Sequence, residues 1–277
     1  MPRPTRLVLA ATLLFGAATA ARAQRGSLDD ADARWLEQCR SGWNHGGQDR
    51  GRACEIRVIP MRLSSRSIVV DGRENGSIRV EGWNADSVRV TARLQSNARD
   101  DATAEQLLRD VKVVSDATGV RADGPDERGR ESWSVSYAVR VPRRFALSLE
   151  AQNGALGVTD VVGKMDLNTV NGSLSLHELG GEVHARTQNG SVSVELAGDR
   201  WEGGGLDAET ENGSVRLLLP ERYAARLETG TVNGSIHTDF PVTVQGRISR
   251  QLDVPLNGGG PTIRAMTTNG TVRISRR

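Results

Sequence analysis

GKMDLNTVNGSLSL (Gly163–Leu176) and, eighteen residues further on, GEVHARTQNGSVSV (Gly181–Val194) are two copies of one pattern. Aligned on the Asn of Asn-Gly, copies fall at Asn153, Asn171, Asn189, Asn212, Asn233 and Asn269, at intervals of 18, 18, 23, 21 and 36 residues. A fixed period over such a length marks a stacked repeat. The interval of 36 reads as two coils, the middle one near Gln251 degraded by Gln245 and Arg247. The flanks say which residues face inward. Six residues before the Asn stand Leu147, Met165, Val183, Leu206, Leu227 and Ile263; four before, Leu149, Leu167, Ala185, Ala208, Thr229 and Ala265; two before, Ala151 and then Thr169, Thr187, Thr210, Thr231 and Thr267. After the corner, apolar residues return at the third and fifth places, as in Leu174 and Leu176 or Val192 and Val194. Side chains narrow toward the corner and widen after it, as a tapered core requires, with polar residues outward between them.

The buried parity switches across each corner. A solenoid bend does this, and so does an antiparallel hairpin on a two-residue Asn-Gly turn. The solenoid accounts better for the uniformity of Thr, Asn and Ser, because stacking places each beside its counterpart about 4.8 Å away. The fold class expected is all-β, a solenoid of about 18-residue coils, with inward ladders of Thr and Asn and a Gly that supplies the turn.

Working upstream, Ile68 and Val70, Ile78 and Val80, and Val88 and Val90 alternate with polar residues, the period of half-buried strands, with Asn75-Gly76 as a positive-φ turn between two of them. Thr103 and Gln106 have capping-box spacing before Leu107, Leu108 and Val111, predicting a short helix that ends near Val111. Asp29–Gln38 reads as a second short helix leading into Cys39. The two cysteines, Cys39 and Cys54, are expected to form one disulfide in an oxidising compartment. A metal site from Cys39, His45 and Cys54 lacks a fourth ligand.

Arg3 and Arg6, the apolar run Leu7–Ala20 and Ala21-Arg22-Ala23 compose a secretory leader ending at residue 23. The run of 14 residues is too short to span a bilayer, which needs about 20. No Cys follows it closely, so no lipid anchor is expected, and no later stretch suits a transmembrane segment. The whole chain is formally +2; the leader holds three arginines and no acid, leaving −1 for residues 24–277. Nucleic-acid binding, which needs a concentrated basic footprint, loses its bulk support.

The repeats of form G-x-x-x-[LA]-x-T-x-N-G-S-[VIL]-x-[VIL], with Glu74-Asn75-Gly76-Ser77-Ile78, Gly82-Trp83-Asn84 and Val139-Arg140-Val141-Pro142 upstream, resemble the bacterial putative-adhesin domain of unknown function, over about residues 67–277. The resemblance implies a right-handed β-helix-like solenoid, an envelope location and no established enzymatic activity. Its adhesin label is an inference from fold.

The chain lacks H-E-x-x-H, C-x-x-C, G-x-S-x-G, phosphate-loop and calcium-loop motifs, so no catalytic, cofactor or metal residues are assigned. His177 and His184 flank the Gly180-Gly181 bend, which suggests a metal or acid–base pair, but no carboxylate or thiol set completes a site and two solvated histidines on outward strand positions are the expectation. Asp207, Glu209 and Glu211 alternate along one outward face, with His184, Arg186 and Gln188 at matching offsets one coil away. Such charges across adjacent strands ordinarily stabilise the pairing. Trp201, beside Gly203-Gly204-Gly205, is either an exposed sugar contact or a cover for an open edge. The domain reading is a leader over 1–23, a disulfide segment over 24–66 and a repeat domain over 67–277, clearest over 145–277. Function is expected to be that of a non-catalytic adhesin-like envelope module, periplasmic or extracellular, whose partner is an envelope or cell-surface polymer or protein. A self-associating scaffold, motivated by coil-to-coil complementarity and by the chain ending on a strand at Thr271–Ser275, ranks second. A carbohydrate-active β-helix enzyme using the Asp207–Glu211 face ranks third.

Overall fold

A computed structural model of the chain describes residues 28–41, 51–240 and 250–277. The leader, the Gly-rich loop with His45, and Gln245 and Arg247 lie outside the described residues. The chain is mostly β. It opens with α1 (Leu28–Ser41), β1 (Gly51–Ile59), β2 (Ser67–Asp71), β3 (Ile78–Trp83), β4 (Arg89–Ala98), α2 (Asp101–Asp110), β5 (Lys112–Ser115), β6 (Gly119–Asp123) and β7 (Ser132–Pro142). The repeats follow as pairs of strands around each corner: β8 (Ala146–Ala151) and β9 (Leu156–Thr159), β10 (Val162–Thr169) and β11 (Leu174–His177), β12 (Gly180–Asn189) and β13 (Val192–Glu195), β14 (Gly205–Asn212) and β15 (Val215–Leu219), β16 (Ala225–Asn233) and β17 (Ile236–Thr238). After β18 (Gln251–Leu256) the last pair is β19 (Thr262–Asn269) and β20 (Val272–Arg276).

Two ten-stranded sheets result. Sheet I, with the strands that follow each corner, runs β1-β4-β7-β3-β9-β11-β13-β15-β20-β17; sheet II, with the strands that precede it, runs β18-β16-β19-β14-β12-β10-β8-β2-β6-β5. Parallel pairing decides between solenoid and hairpins: Leu174 lies between Leu156 and Val192, and Thr169 between Ala151 and Thr187. The inward columns are therefore continuous. Leu147, Met165, Val183, Leu206, Ile263 and Leu227 stack as neighbours, all buried, and buried Ile68 extends the column on β2.

The corner works differently from the expectation in two respects. The threonines do face inward: Thr187 Oγ1 donates to the Gly172 carbonyl at 2.7 Å, and Thr169, Thr210, Thr267 and Thr231 do the same to Gly154, Gly190, Gly213 and Gly270. The asparagines, however, are exposed. Their amides form a surface ladder, Asn233 to Asn269 to Asn212 to Asn189 to Asn171 to Asn153, which continues to Asn75 at 3.4 Å. Each amide uses one N–H and the oxygen along the ladder, and its second N–H needs water, which an inward position would deny it. The corner glycines, Gly76 included, are not at positive φ. They are glycines because coils approach too closely for a Cβ: at Gly190 it would lie 2.1 Å from the Gly172 carbonyl oxygen, and at Gly172 2.0 Å from that of Gly154.

Replacing Thr187 with Val keeps its shape and removes the donor to a buried carbonyl. A loss of about 1–3 kcal/mol is expected, measurable by thermal denaturation, while Thr187→Ser, which keeps the hydroxyl, should lose less.

The stacking order is not the chain order. The final coil, β19–β20, sits between β14–β15 and β16–β17. At the other end β2–β3 sits between β6–β7 and β8–β9. The stretch near Gln251 is thus not a degraded coil: β18 runs antiparallel to β16 as an edge strand, turning the chain back so that the last coil can insert. Because β20 is interior, the strand Val272–Arg276 offers no free edge; at this end the sheets finish on β17 and β18 instead.

At the opposite end β4 pairs antiparallel with β7, and β1 with β4, so β1 is the edge strand of sheet I. Helix α2 buries Ala104, Leu107 and Leu108 and packs on β1 and β4. Its N-cap is Asp100, whose carboxylate accepts from Thr103 N at 2.7 Å, in place of the expected Thr103–Gln106 box. Arg57, from β1, donates to the last carbonyls of α2, Leu108 and Val111. Helix α1 is joined to β1 by a disulfide between Cys39 and Cys54, with Cα atoms 6.2 Å apart, and its Asp32 pairs with the largely buried Arg93 of β4 at 2.6 Å.

Candidate functional site

The outer face of sheet II carries the acidic residues singled out by the sequence. Period-two geometry puts Asp207 and Glu209 side by side on β14, and the register sets His184 and Arg186 of β12 beside them. From the other flank comes Arg264 of β19. Its Nη1 lies 2.5 Å from Asp207 Oδ1 and also bonds Glu209 Oε1, while Arg186 Nε is 3.4 Å from Glu209 Oε2. Burial works against the Arg264 charge, but its bonds to Glu209 and Asp207 prevail and hold its pKa above the ordinary value. Two carboxylates clamped between two guanidiniums form a structural ion network, without the separated acid and base that glycoside cleavage requires. Glu211 lies exposed at the corner beyond the network. A groove of about 480 Å³ passes over this face, lined by Arg186, Glu209, Glu211, Val232, Arg264 and Met266 among others. Arg264 escaped the sequence reading because it lies more than fifty residues away, in a coil that the linear order places elsewhere.

His177 and His184 are not brought together. His184 faces out from sheet II near Glu182, at 3.4 Å, and His177 faces out from sheet I. There His177 Nε2 is 2.8 Å from Ser175 Oγ and its Nδ1 3.0 Å from Glu195 Oε2. Glu195 lies 18 residues after His177, so the repeat period itself could have found this pair. The linkage has the connectivity of a hydroxyl, a base and a carboxylate. Ser175 nevertheless sits mid-strand between β9 and β13, where backbone amides are committed to the ladders, so none is available to stabilise an oxyanion. Arg277 also holds Glu195, at 3.4 Å. A second groove, of about 530 Å³, runs beside this linkage beneath α1, with Arg34 and Arg79 among its lining residues.

Trp201 is neither an exposed contact nor an edge cover. It is 2% exposed, packed beside Leu179, Leu196 and Leu206, and its indole donates to the Gly181 carbonyl at 2.9 Å. Among the described residues no group of three or more His, Cys, Asp or Glu side chains could hold a metal ion. No helix of the described residues is long and apolar enough to cross a membrane.

Fold and surface together define a mostly β, solenoid-like repeat module whose motif residues are spent on stacking. Residues 143–275 match the family described as Toastrack DUF4097, and the resemblance to a putative-adhesin domain of unknown function holds. Among solved structures the chain is similar to a putative cell adhesion protein from Clostridium sporogenes, at 9% identity over 82% of this chain and 100% of that one, with a TM-score of 0.48. It is also similar to a putative adhesin from Bacteroides fragilis (11% identity, 81% and 97% covered, TM-score 0.41) and a putative lipid binding protein from Parabacteroides distasonis (10%, 81% and 96%, TM-score 0.32). No curated protein matches the chain.

Proposed function

We propose that this is an exported, non-catalytic envelope protein whose solenoid presents a rigid surface to a cell-surface polymer or protein. In this reading residues 1–23 are removed as a leader, 24–66 form the disulfide segment, and 67–277 form the repeat domain, in the periplasm or outside the cell. The coils are right-handed and about 18 residues long. In support of that hand, repeat strands two apart in the chain, such as β9 and β11 or β10 and β12, pair parallel within one sheet, a crossover that is right-handed in about 98% of cases. One observation carries the proposal. The conspicuous Thr, Asn and Gly residues are consumed by coil-to-coil bonding, which leaves the outward rows of the sheets as a regular, open surface. The Cys39–Cys54 disulfide fits an oxidising compartment.

The test is retention of fractionated envelope polymers and proteins on the immobilised protein. Specific retention of a fraction is expected, and failure to retain any of them would reject the proposal. A serine-directed fluorophosphonate probe is expected to leave Ser175 unlabelled. Labelling that disappears in Ser175→Ala would overturn the non-catalytic reading.

A further inference from the structure

One outward row of sheet I contains a charge arrangement that the stacking does not explain. Adjacent strands place Arg79, Gly157, Ser175, Ser193, Arg216, Arg273 and His237 in register, in that order. Arg216 and Arg273 are thus direct neighbours on parallel strands, about 4.8 Å apart, and both are exposed. Like charges set directly opposite destabilise a sheet. Several positions on sheet II instead set opposite charges side by side, with Lys164 beside Glu182, Arg186 beside Glu209, and Arg264 beside both Asp207 and Glu228. Among the described residues neither the Arg216 nor the Arg273 side chain has an ion-pair or hydrogen-bond partner. Glu195, on the next outward row, is taken by His177 and Arg277.

Beside the two guanidiniums runs a row of hydroxyls, Ser191, Ser214, Thr271 and Ser235, from the residues just before each strand. Ser235 Oγ is 3.1 Å from His237 Nε2 and 3.4 Å from Thr271 Oγ1. Cationic forks for carboxylate or phosphate groups therefore alternate with donors and acceptors suited to sugar hydroxyls. From Ser175 to His237 the strip crosses five strands, a length of roughly 19 Å, which suits an extended chain better than a single ion. The exposed large apolar residues, Val58, Val69, Val114, Val170 and Val232, lie off the strip, which therefore lacks the apolar contact that membrane-surface binding uses.

We propose that this strip binds a linear anionic polysaccharide, with Arg216 and Arg273 together engaging its acidic groups and the hydroxyl row engaging the sugar. The inference rests on the surface-binding function above and names its ligand class.

The experiment compares the purified protein with its R216Q/R273Q and K164Q variants. The probes are polygalacturonate, the same polymer fully methyl-esterified, and vesicles containing phosphatidylglycerol. Wild type and K164Q are expected to bind polygalacturonate, less tightly as salt rises, and to prefer it to the neutral ester and to vesicles. R216Q/R273Q should lose at least about tenfold in affinity, the equivalent of one charge-assisted hydrogen bond. Its melting temperature should rise by about 1–3 °C as the repulsion is relieved, which separates lost binding from lost folding. Equal binding of the neutral ester, preference for vesicles, unchanged affinity in R216Q/R273Q, or a lower melting temperature in that variant would each overturn the strip. If envelope fractions are still retained in those cases, the surface-binding function stands without it; if nothing is retained, both fall.

Discussion

A chain terminated after Gly260 is expected to lose cooperative folding altogether rather than shed one coil. It lacks β19 and β20, and with them the buried Ile263, Ala265, Val272 and Ile274. Burying Ile263, Val272 and Ile274 contributes on the order of 5–9 kcal/mol by transfer energies, as large as the net stability of many domains, about 5–15 kcal/mol. Position adds to the loss. In a stack ordered as the sequence is, the last coil would lie at the end, and its removal would expose one fresh surface. Here the removed coil separates β14–β15 from β16–β17, so its loss leaves two apolar faces apart and detaches an intact coil. Circular dichroism with thermal and urea melts should show a broad, weak or absent transition, and most of the chain should be insoluble. A truncated chain that melts as one sharp transition near the native temperature would show that the last coil is peripheral.

Substitution of a corner glycine is expected to have the next largest effect. In Gly190→Ala the new methyl would lie 2.1 Å from the Gly172 oxygen and 2.6 Å from its carbonyl carbon. Both atoms belong to backbone that is itself stacked on Gly154, so relief requires neighbouring coils to separate. A loss of about 3 kcal/mol or more is expected, beyond ordinary overpacking because no flexible side chain can yield. At this chain size that is a drop of roughly 6–12 °C in melting temperature. Gly157→Ala is the internal control. Its Cβ would meet nothing nearer than 3.9 Å, its φ is not positive, and Ala loses less backbone entropy than Gly on folding, by about 0.5–1 kcal/mol. That variant should be neutral or slightly stabilised. Equal tolerance at both positions would mean that the corners do not stack as closely as described.

The binding strip shows how far the sequence could lead. Arg216 is four residues after Asn212, Arg273 four after Asn269, and His237 four after Asn233, so the repeat alignment already assigns them one outward row. Their adjacency could not be read, because the alignment puts the coil of Asn233 between the other two. The same limit hid Arg264, whose pairing with Asp207 and Glu209 turns an apparent acidic face into a neutralised network. It also made the 36-residue interval look like two coils when one part of it is an antiparallel edge strand.

The amino-acid sequence by itself determined the period, the inward columns and the identity of the corner, because side-chain alternation and burial are local properties with a spacing of two residues. It did not determine the order of the coils, the outward course of the asparagine ladder or the reason for the glycines. Those depend on which backbone lies next to which, and nearly identical coils can exchange places without changing any local pattern. The corner glycine illustrates the difference: T-x-N-G-S fixes where Gly must be, and only the neighbouring carbonyl, two ångströms from the missing Cβ, shows why.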